Sequence, residues 1–193
     1  QSGMVHAVGF DLYTRLLEEA VADLKNQDSG EKSVRQVDPP EVVVDIPIEA
    51  FIPENYIEDL PLRLGVYQRL ARAADIEEVV IISADLQDRF GPSPEAVDNL
   101  IYVVRIKILA GHADVESVIR EGKSIAIRLR HGVGGAKNLL QKDLGTFAQV
   151  GDSLIRLPIK GQWTEILAWL LERLGSFREK MLEMAEKTNQ VPC

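Results

Sequence analysis

The alternation of apolar and polar positions is clearest between Pro53 and Ala110, where it predicts three helical segments. The middle segment begins at Asp75, a favourable N-cap residue, and Glu78 three positions later completes a capping box. Gly91 ends this helix, and Pro92 prevents its continuation. Between these two ends, apolar residues recur at helical spacing and give the helix one apolar face, formed by Val79, Ile82, Leu86 and Phe90.

A helix is predicted on either side of this one. The downstream helix starts with Ser93 as N-cap, Pro94 at the first helical position and Glu95 in the first turn, and it runs to Ala110. The β-branched run VVII at 79–82 would also suit a short buried strand, but the caps on both sides favour a helix. The upstream helix has an apolar face formed by Leu60, Leu64, Tyr67, Leu70 and Ala71.

Beyond residue 111 the pattern changes to strict alternation, which predicts β-hairpins. A short helix at Ala136–Lys142 separates two hairpins, and a long helix at Trp163–Lys187 follows them, with Ile166, Leu167, Leu170, Leu174 and Phe177 on its apolar face. A further strand is predicted near the start, at Glu41–Ile48. The hairpin strands are Val115–Arg120 with Ser124–Arg130, and Phe147–Val150 with Ser153–Pro158.

The first forty residues divide into a predicted helical arm and a linker. Residues 1–25 contain one amphipathic helix, whose apolar positions are Phe10, Tyr13, Leu16, Leu17, Ala20, Val21 and Leu24. Residues 26–40 are polar and end in two prolines, which is typical of a linker. We therefore predict an α+β fold: an N-terminal helical arm, a helical cluster, two β-hairpins with an intervening helix, and a long C-terminal helix. Residues 41–193 would form the compact domain.

Charge is concentrated in one part of the chain. The net charge is −8, and residues 41–100 contain 13 acidic and 4 basic residues, a net of −9, which leaves +1 for the rest. DNA-binding surfaces need Lys and Arg to neutralise phosphates, so direct nucleic-acid binding is not expected. A basic protein surface is the better partner for such a segment.

Other features of the composition exclude whole classes of protein. No apolar run approaches the roughly 20 residues of a membrane span. Cys193 is the single cysteine, so disulfides within the chain and a cysteine metal site are excluded, which suits a cytoplasmic location. The chain begins with Gln, and Met4 is not followed by a signal-peptide pattern. We expect it to be a piece of a larger protein.

Short motifs that are typical of catalytic or cofactor-binding sites occur here without the neighbouring residues or spacing that such sites need. Gly122-Lys123-Ser124 would suit a phosphate-binding loop, but Ser117 stands where the first glycine is needed and an alternating strand follows. The glycines of residues 132–135 lack dinucleotide-binding spacing. The three histidines, His6, His112 and His131, are not spaced as metal ligands. We therefore predict no catalytic residues, no cofactor site and no metal site in this chain.

The candidate binding residues are Asp85, Asp88 and Arg89, on the last turns of the capped helix and away from its apolar face. Two interpretations are open. They form a solvated helix end, with Arg89 favourably placed at the negative end of the helix dipole, or they form an electrostatic docking patch for a basic partner.

Two stretches resemble a known family. QSGMVHAVGFDLYTRLLEEAV resembles the segment that follows the translocase motor in bacterial transcription-repair coupling factors (Mfd). IPENYIEDLPLRLGVYQRLARAADIEE, together with LQDRFGPSPEAVDNL, resembles the C-terminal domain of the same family. Together they cover most of residues 1–110, and Asp88 to Pro92 is the most specific part. From Gly111 onward only the order of elements matches, and VVII at 79–82 is more apolar than expected in this family.

The resemblance implies a parent protein that is an ATP-driven translocase on double-stranded DNA, displaces stalled RNA polymerase and recruits UvrA through a UvrB-like domain. ATP and magnesium would belong to the motor of that parent, upstream of this chain. Residues 1–25 would follow the motor, and residues 41–193 would be a non-catalytic regulatory domain. This domain would pack on the UvrB-like domain of the same molecule and mask its UvrA-binding surface until polymerase engagement releases it.

The residues implied for that intramolecular contact are Asp85, Asp88 and Arg89. UvrA and RNA polymerase would be indirect partners, with no direct nucleic-acid or membrane contact. Two other functions remain open: a small-molecule-binding or enzymatic α+β domain, and a purely structural cap on the motor.

Overall fold

The computed structural model describes residues 42–189, so the predicted arm and linker lie outside the described residues. The chain divides into two compact units, with the boundary between Arg105 and Ile106. Helices and antiparallel strands both occur, which confirms the predicted α+β class. The division into an arm, a linker and a domain stays a prediction.

The first unit consists mainly of helices. Its elements are β1 (Val43–Asp45), α1 (Leu60–Arg72), α2 (Ile76–Phe90) and α3 (Glu95–His112), the last of which continues across the boundary. Strand β1 is shorter than predicted, because the chain bends at Pro47, which cannot donate to a strand ladder. Helix α3 begins one residue later than predicted, and the Pro94 carbonyl accepts the first-turn N–H groups of Val97 and Asp98 at 2.9 and 3.1 Å.

The buried face of α1 differs from the predicted one. Leu60 is 50% exposed, whereas Arg63 is only 8% exposed. The Arg63 guanidinium donates to the Ile57 carbonyl at 2.8 Å and lies 3.4 Å from the Glu54 carboxylate. A buried charge is tolerated when it is paired and hydrogen-bonded in this way. The predicted apolar face included Leu60 and Leu64; the buried positions are Arg63, Val66, Tyr67 and Leu70.

The caps of α2 are as predicted, with one refinement. Asp75 Oδ1 accepts from the Glu78 backbone N–H at 2.8 Å, and Glu78 in turn accepts from the N–H of Ala74, one residue before the position a capping box uses. Gly91 ends the helix at a φ of 84°, in the region that favours glycine. The run at 79–82 is therefore helical, and Val79, Ile82 and Leu86 are buried.

The second unit contains both predicted hairpins. Strands β2, β3, β5 and β4 lie side by side in that order and are antiparallel. Gly122, at a φ of 62°, forms the first hairpin turn. The long helix buries Leu167, Leu170, Leu171 and Leu174. The elements are β2 (Val115–Glu121), β3 (Ser124–Leu129), α4 (Lys137–Leu144), β4 (Gln149–Val150), β5 (Leu154–Pro158) and α5 (Trp163–Asn189).

Two tyrosine hydroxyls in the first unit bind backbone groups, Tyr67 in the loop before α1 and Tyr56 at the end of α2, and give a matched test. Tyr67 Oη accepts the buried backbone N–H of Ile52 at 2.8 Å, whereas Tyr56 donates from a partly buried position. Tyr67→Phe should lower the free energy of unfolding by about 1–3 kcal/mol, because a buried donor loses its partner. Tyr56→Phe should cost about 0.5–1.5 kcal/mol. Urea denaturation of both variants checks the order, and a larger loss for Tyr56→Phe would contradict it.

Candidate docking surface

The C-terminal end of α2 is fixed by a tyrosine from the preceding loop. The Tyr56 hydroxyl lies 3.1 Å from the Gly91 carbonyl and 3.3 Å from the Leu86 carbonyl. Its ring packs on Phe90, with 5.8 Å between ring centroids. Carbonyls at a helix end need such partners because no further helical turn supplies them. The side chains of residues 85–90 therefore project from a backbone held in one position.

Two of the three predicted binding residues are already engaged within the unit. Asp85 Oδ2 accepts from Arg69 of α1 at 2.8 Å and lies 3.6 Å from Arg89, one turn along α2. The hydrogen bond from Arg69 lowers the pKa of the Asp85 carboxyl, partly opposed by desolvation, and the positive charge of Arg89 adds to the effect. The Arg89 guanidinium also lies 5.1 Å from the centre of the Phe90 ring, within cation–π range. The Asp85 charge is thus balanced inside the unit.

The third residue, Asp88, lies on the same side of α2 as Ile81. The two are seven positions apart, nearly two full turns at about 100° per residue, and Asp85, three positions before Asp88, is the residue that contacts Arg69 of α1. Asp88 is exposed, and within residues 42–189 no hydrogen bond or ion pair involves its carboxylate. Ile81 is 64% exposed. The three residues therefore differ in whether their charge is already paired within the unit: we call Ile81 and Asp88 the outer face of α2.

Sequence reasoning missed the partner that Asp85 has on the neighbouring helix. Arg69 was not singled out, although it lies in the last turn of α1, where a basic residue is common. Of the aliphatic run at 79–82, the prediction placed only Val79 and Ile82 on the apolar face; both are buried, and Val80 is 61% exposed. The helical period explains the exposure, since four consecutive residues cannot all face one core.

A shallow groove of about 320 Å³ lies along another side of α2. Its volume is at the low end for a small-molecule site, and it lacks the convergent polar groups that such a site needs. It is lined by α2 residues that include Ile76, Val80, Ser83 and Ala84, and by Ile101 and Arg105 of α3.

The part of the chain that the structure describes also bears on the other kinds of site. Gly122-Lys123 forms the turn between two antiparallel strands, and the predicted strand begins at Ser124, where a phosphate-binding loop would need a helix. Within residues 42–189 no cluster of three or more histidine, cysteine or acidic residues could hold a metal ion. None of the helices described there is both long and apolar enough to cross a bilayer.

The Asp85–Arg69 pair gives a prediction about pH. Because the folded-state pKa of Asp85 is lowered from its ordinary value of 3.8, the pair stabilises the fold above that pH, and its contribution is lost as the pH falls through the lowered value. Arg69→Gln should raise the midpoint of the Asp85 carboxyl titration, measured by NMR. Asp143, whose pKa is lowered mainly by a hydrogen bond from Arg173, is the internal control and should not move. An unchanged Asp85 midpoint would show that Arg69 does not hold its charge.

Comparison with known proteins gives consistent matches. The model of the TRCF domain family matches residues 46–134. A transcription-repair-coupling factor of Staphylococcus epidermidis is 36% identical over 180 residues, and one of Staphylococcus aureus is 31% identical over 183 residues. Each match covers 89% of this chain and 15% of the relative. The chain therefore spans about 15% of the length of these curated relatives.

A solved structure supports the same assignment at the level of fold. The crystal structure of a C-terminal domain of transcription-repair coupling factor matches with a TM-score of 0.60 and 20% sequence identity. The match covers 76% of this chain and 95% of that one. Taken with the sequence matches, this shows that the chain belongs to the transcription-repair coupling factor family and has the fold of its C-terminal domain.

Proposed function

We propose that this domain is a non-catalytic, autoinhibitory mask within a full-length coupling factor. It docks on the UvrB-like domain of the same molecule and covers the surface that binds UvrA. The observation that carries the proposal is the outer face of α2, where the exposed Ile81 and the Asp88 carboxylate lie on one side of the helix about two turns apart, and Tyr56 fixes the helix end that carries Asp88. Apolar anchors supply much of the binding energy of protein interfaces, and complementary charges add specificity.

The three predicted residues have different roles in this proposal, according to whether their charges are paired within the unit. Asp85 and Arg89 pair with each other, and Asp85 with Arg69, so their role is to hold α2 against α1. Asp88 provides the charge that meets the partner. The net charge of −9 over residues 41–100 directs the domain towards a basic surface and away from DNA.

The family suggests what the full-length parent protein does. We infer that the full-length protein is an ATP-dependent DNA translocase of the cytoplasm that acts on stalled RNA polymerase, with ATP and magnesium bound in its motor. Residues 1–25 follow that motor, and the polar linker at 26–40 tethers the regulatory domain. A short flexible tether gives an effective concentration of about millimolar, so modest affinity is enough to keep the mask closed and reversible.

Charge reversal at Asp88 tests this proposal. Close interfacial charge pairs have coupling energies of roughly 1.5–7 kcal/mol, and each ~1.4 kcal/mol is tenfold in an equilibrium. Asp88→Arg in the full-length protein should therefore raise UvrA binding by about tenfold or more, and Asp88→Asn should raise it less. The melting temperature should stay nearly unchanged, because exposed surface substitutions alter stability by about half a kcal/mol at most.

The matched control is Glu179→Arg, the same charge reversal at an exposed position of α5, outside the segment that the family model matches. It should leave UvrA binding as in the wild type. If UvrA binding is unchanged in folded Asp88→Arg protein, Asp88 belongs only to a solvated helix end. If both reversals raise it equally, the effect is one of overall charge and not of a docking face.

A further inference from the structure

The sheet of the second unit has two arginines on the face opposite its core. Arg156 of β5 pairs with Ala126 of β3, and Arg128 is two positions further along β3, so both arginines lie on the same face. The other face of β3 holds Ile125 and Ile127, which are fully buried. The arginine side chains are 48% and 51% exposed, so both reach solvent.

Both arginines meet at one carboxylate. Glu121, at the end of β2, accepts a hydrogen bond from Arg128 on one oxygen at 2.9 Å, and its other oxygen lies 3.5 Å from Arg156. In the described part of the chain no other ion pair involves either arginine. Each guanidinium has five N–H donors and one positive charge, so one carboxylate leaves a net charge of +1 and donors for a second carboxylate.

Two lysines extend the positive charge to the end of the sheet. Lys123 lies at the tip of the β2–β3 hairpin, and Lys160 follows Ile159, whose backbone N–H donates to the Lys123 carbonyl at 2.9 Å. Both lysines are exposed, and neither side chain forms an ion pair within residues 42–189. Arg120, also exposed, donates to the Gly122 carbonyl at 3.1 Å and adds positive charge at the same turn. We define the basic patch as Lys123, Arg128, Arg156 and Lys160.

The basic patch is positive in a chain that is negative. With Glu121 included, it contains four basic residues and one acidic residue, a net charge of +3. The whole chain has a net charge of −8, so the remaining residues carry −11 (−8 minus +3). A cluster of charges of one sign attracts and orients a partner of the opposite sign. The partner that fits this patch is therefore anionic.

The carboxylates of a short protein segment fit the patch better than the phosphates of DNA. The arginines already bind a carboxylate, that of Glu121, and the guanidinium fork matches the two carboxylate oxygens. From Lys123 to Arg128 the patch runs five residues along the strand, about 16 Å, which is also the length of five residues of extended peptide. Duplex DNA is a longer polyanion, and the charge of −11 on the rest of the chain opposes its approach.

We propose that the basic patch is a docking site for an acidic segment of a partner protein, whose carboxylates bind the two arginines and whose further acidic residues meet the two lysines. Glu121 holds the arginines in the absence of the partner and competes with it. The site is in the second unit and does not depend on the proposed mask, in which Asp88 of the first unit makes the contact.

Fluorescence anisotropy with a labelled hexaglutamate peptide tests this on the whole 193-residue chain. The peptide should bind saturably at low salt, and hexaglutamine should not bind. Arg156→Gln should weaken binding about tenfold, because a hydrogen bond between charged groups is lost. Glu121→Gln should strengthen binding roughly twofold to fivefold, the range expected when an exposed ion pair no longer competes for the arginines.

The matched control is Lys142→Gln, which removes one positive charge from an exposed position of α4, outside the sheet. It should leave the affinity within about twofold of the wild type, because salt screens charges that are not in contact. Thermal melting should show that all three variants are folded.

Three results would overturn the proposal. Absence of saturable hexaglutamate binding by the folded wild type would show that the patch does not recognise carboxylates. Equal weakening by Arg156→Gln and Lys142→Gln would show an effect of overall charge and not of a site. Tighter binding of duplex DNA than of hexaglutamate, lost in Arg156→Gln, would assign the patch to nucleic acid.

Discussion

The rotation of a helix by about 100° per residue is the constraint on which the first unit depends. Helix α2 has fifteen residues, and each side of it has a different environment. Val79, Ile82 and Leu86 are in the core, Asp85 pairs with Arg69 of α1, and Asp88 faces outward. A shift of one residue in the start of the helix would rotate all of these together.

The caps are what prevent such a shift. Asp75 fixes the first turn through the Glu78 N–H, and Gly91 fixes the last one by its positive φ. Tyr56 then holds the helix end from outside. The pairing of Asp85 and the exposure of Asp88 both follow from that register, so the surface chemistry of the helix end is set by backbone hydrogen bonds several residues away.

The local signals in the sequence were enough to predict the elements. Caps, glycine turns and strict alternation identified α2 and both hairpins, because these signals act within a few residues of the element they shape. It was harder to predict which side chains of each helix face the core or a neighbouring element. The burial of Arg63 depends on the Ile57 carbonyl, and the balance of charge at Asp85 depends on a residue sixteen positions earlier. No periodicity in the sequence contains that information.

For the same reason the sequence could not distinguish among the three candidate binding residues. Asp85, Asp88 and Arg89 are adjacent in sequence, and only the contact with Arg69 separates the paired carboxylate from the free one. Family membership adds the context of a coupling factor, and the geometry adds which side chain is available to a partner. The proposed mask rests on both: the family supplies the partner domain, and the geometry supplies the outer face of α2.

The most direct test of the mask is a calorimetric titration of this chain into the UvrB-like domain of the same parent, expressed separately. We expect saturable one-to-one binding, with a dissociation constant below the roughly millimolar effective concentration that a flexible tether provides. Binding should weaken as salt is added, because opposite charges meet at the contact. Absence of binding at millimolar concentrations of both folded partners would contradict the account.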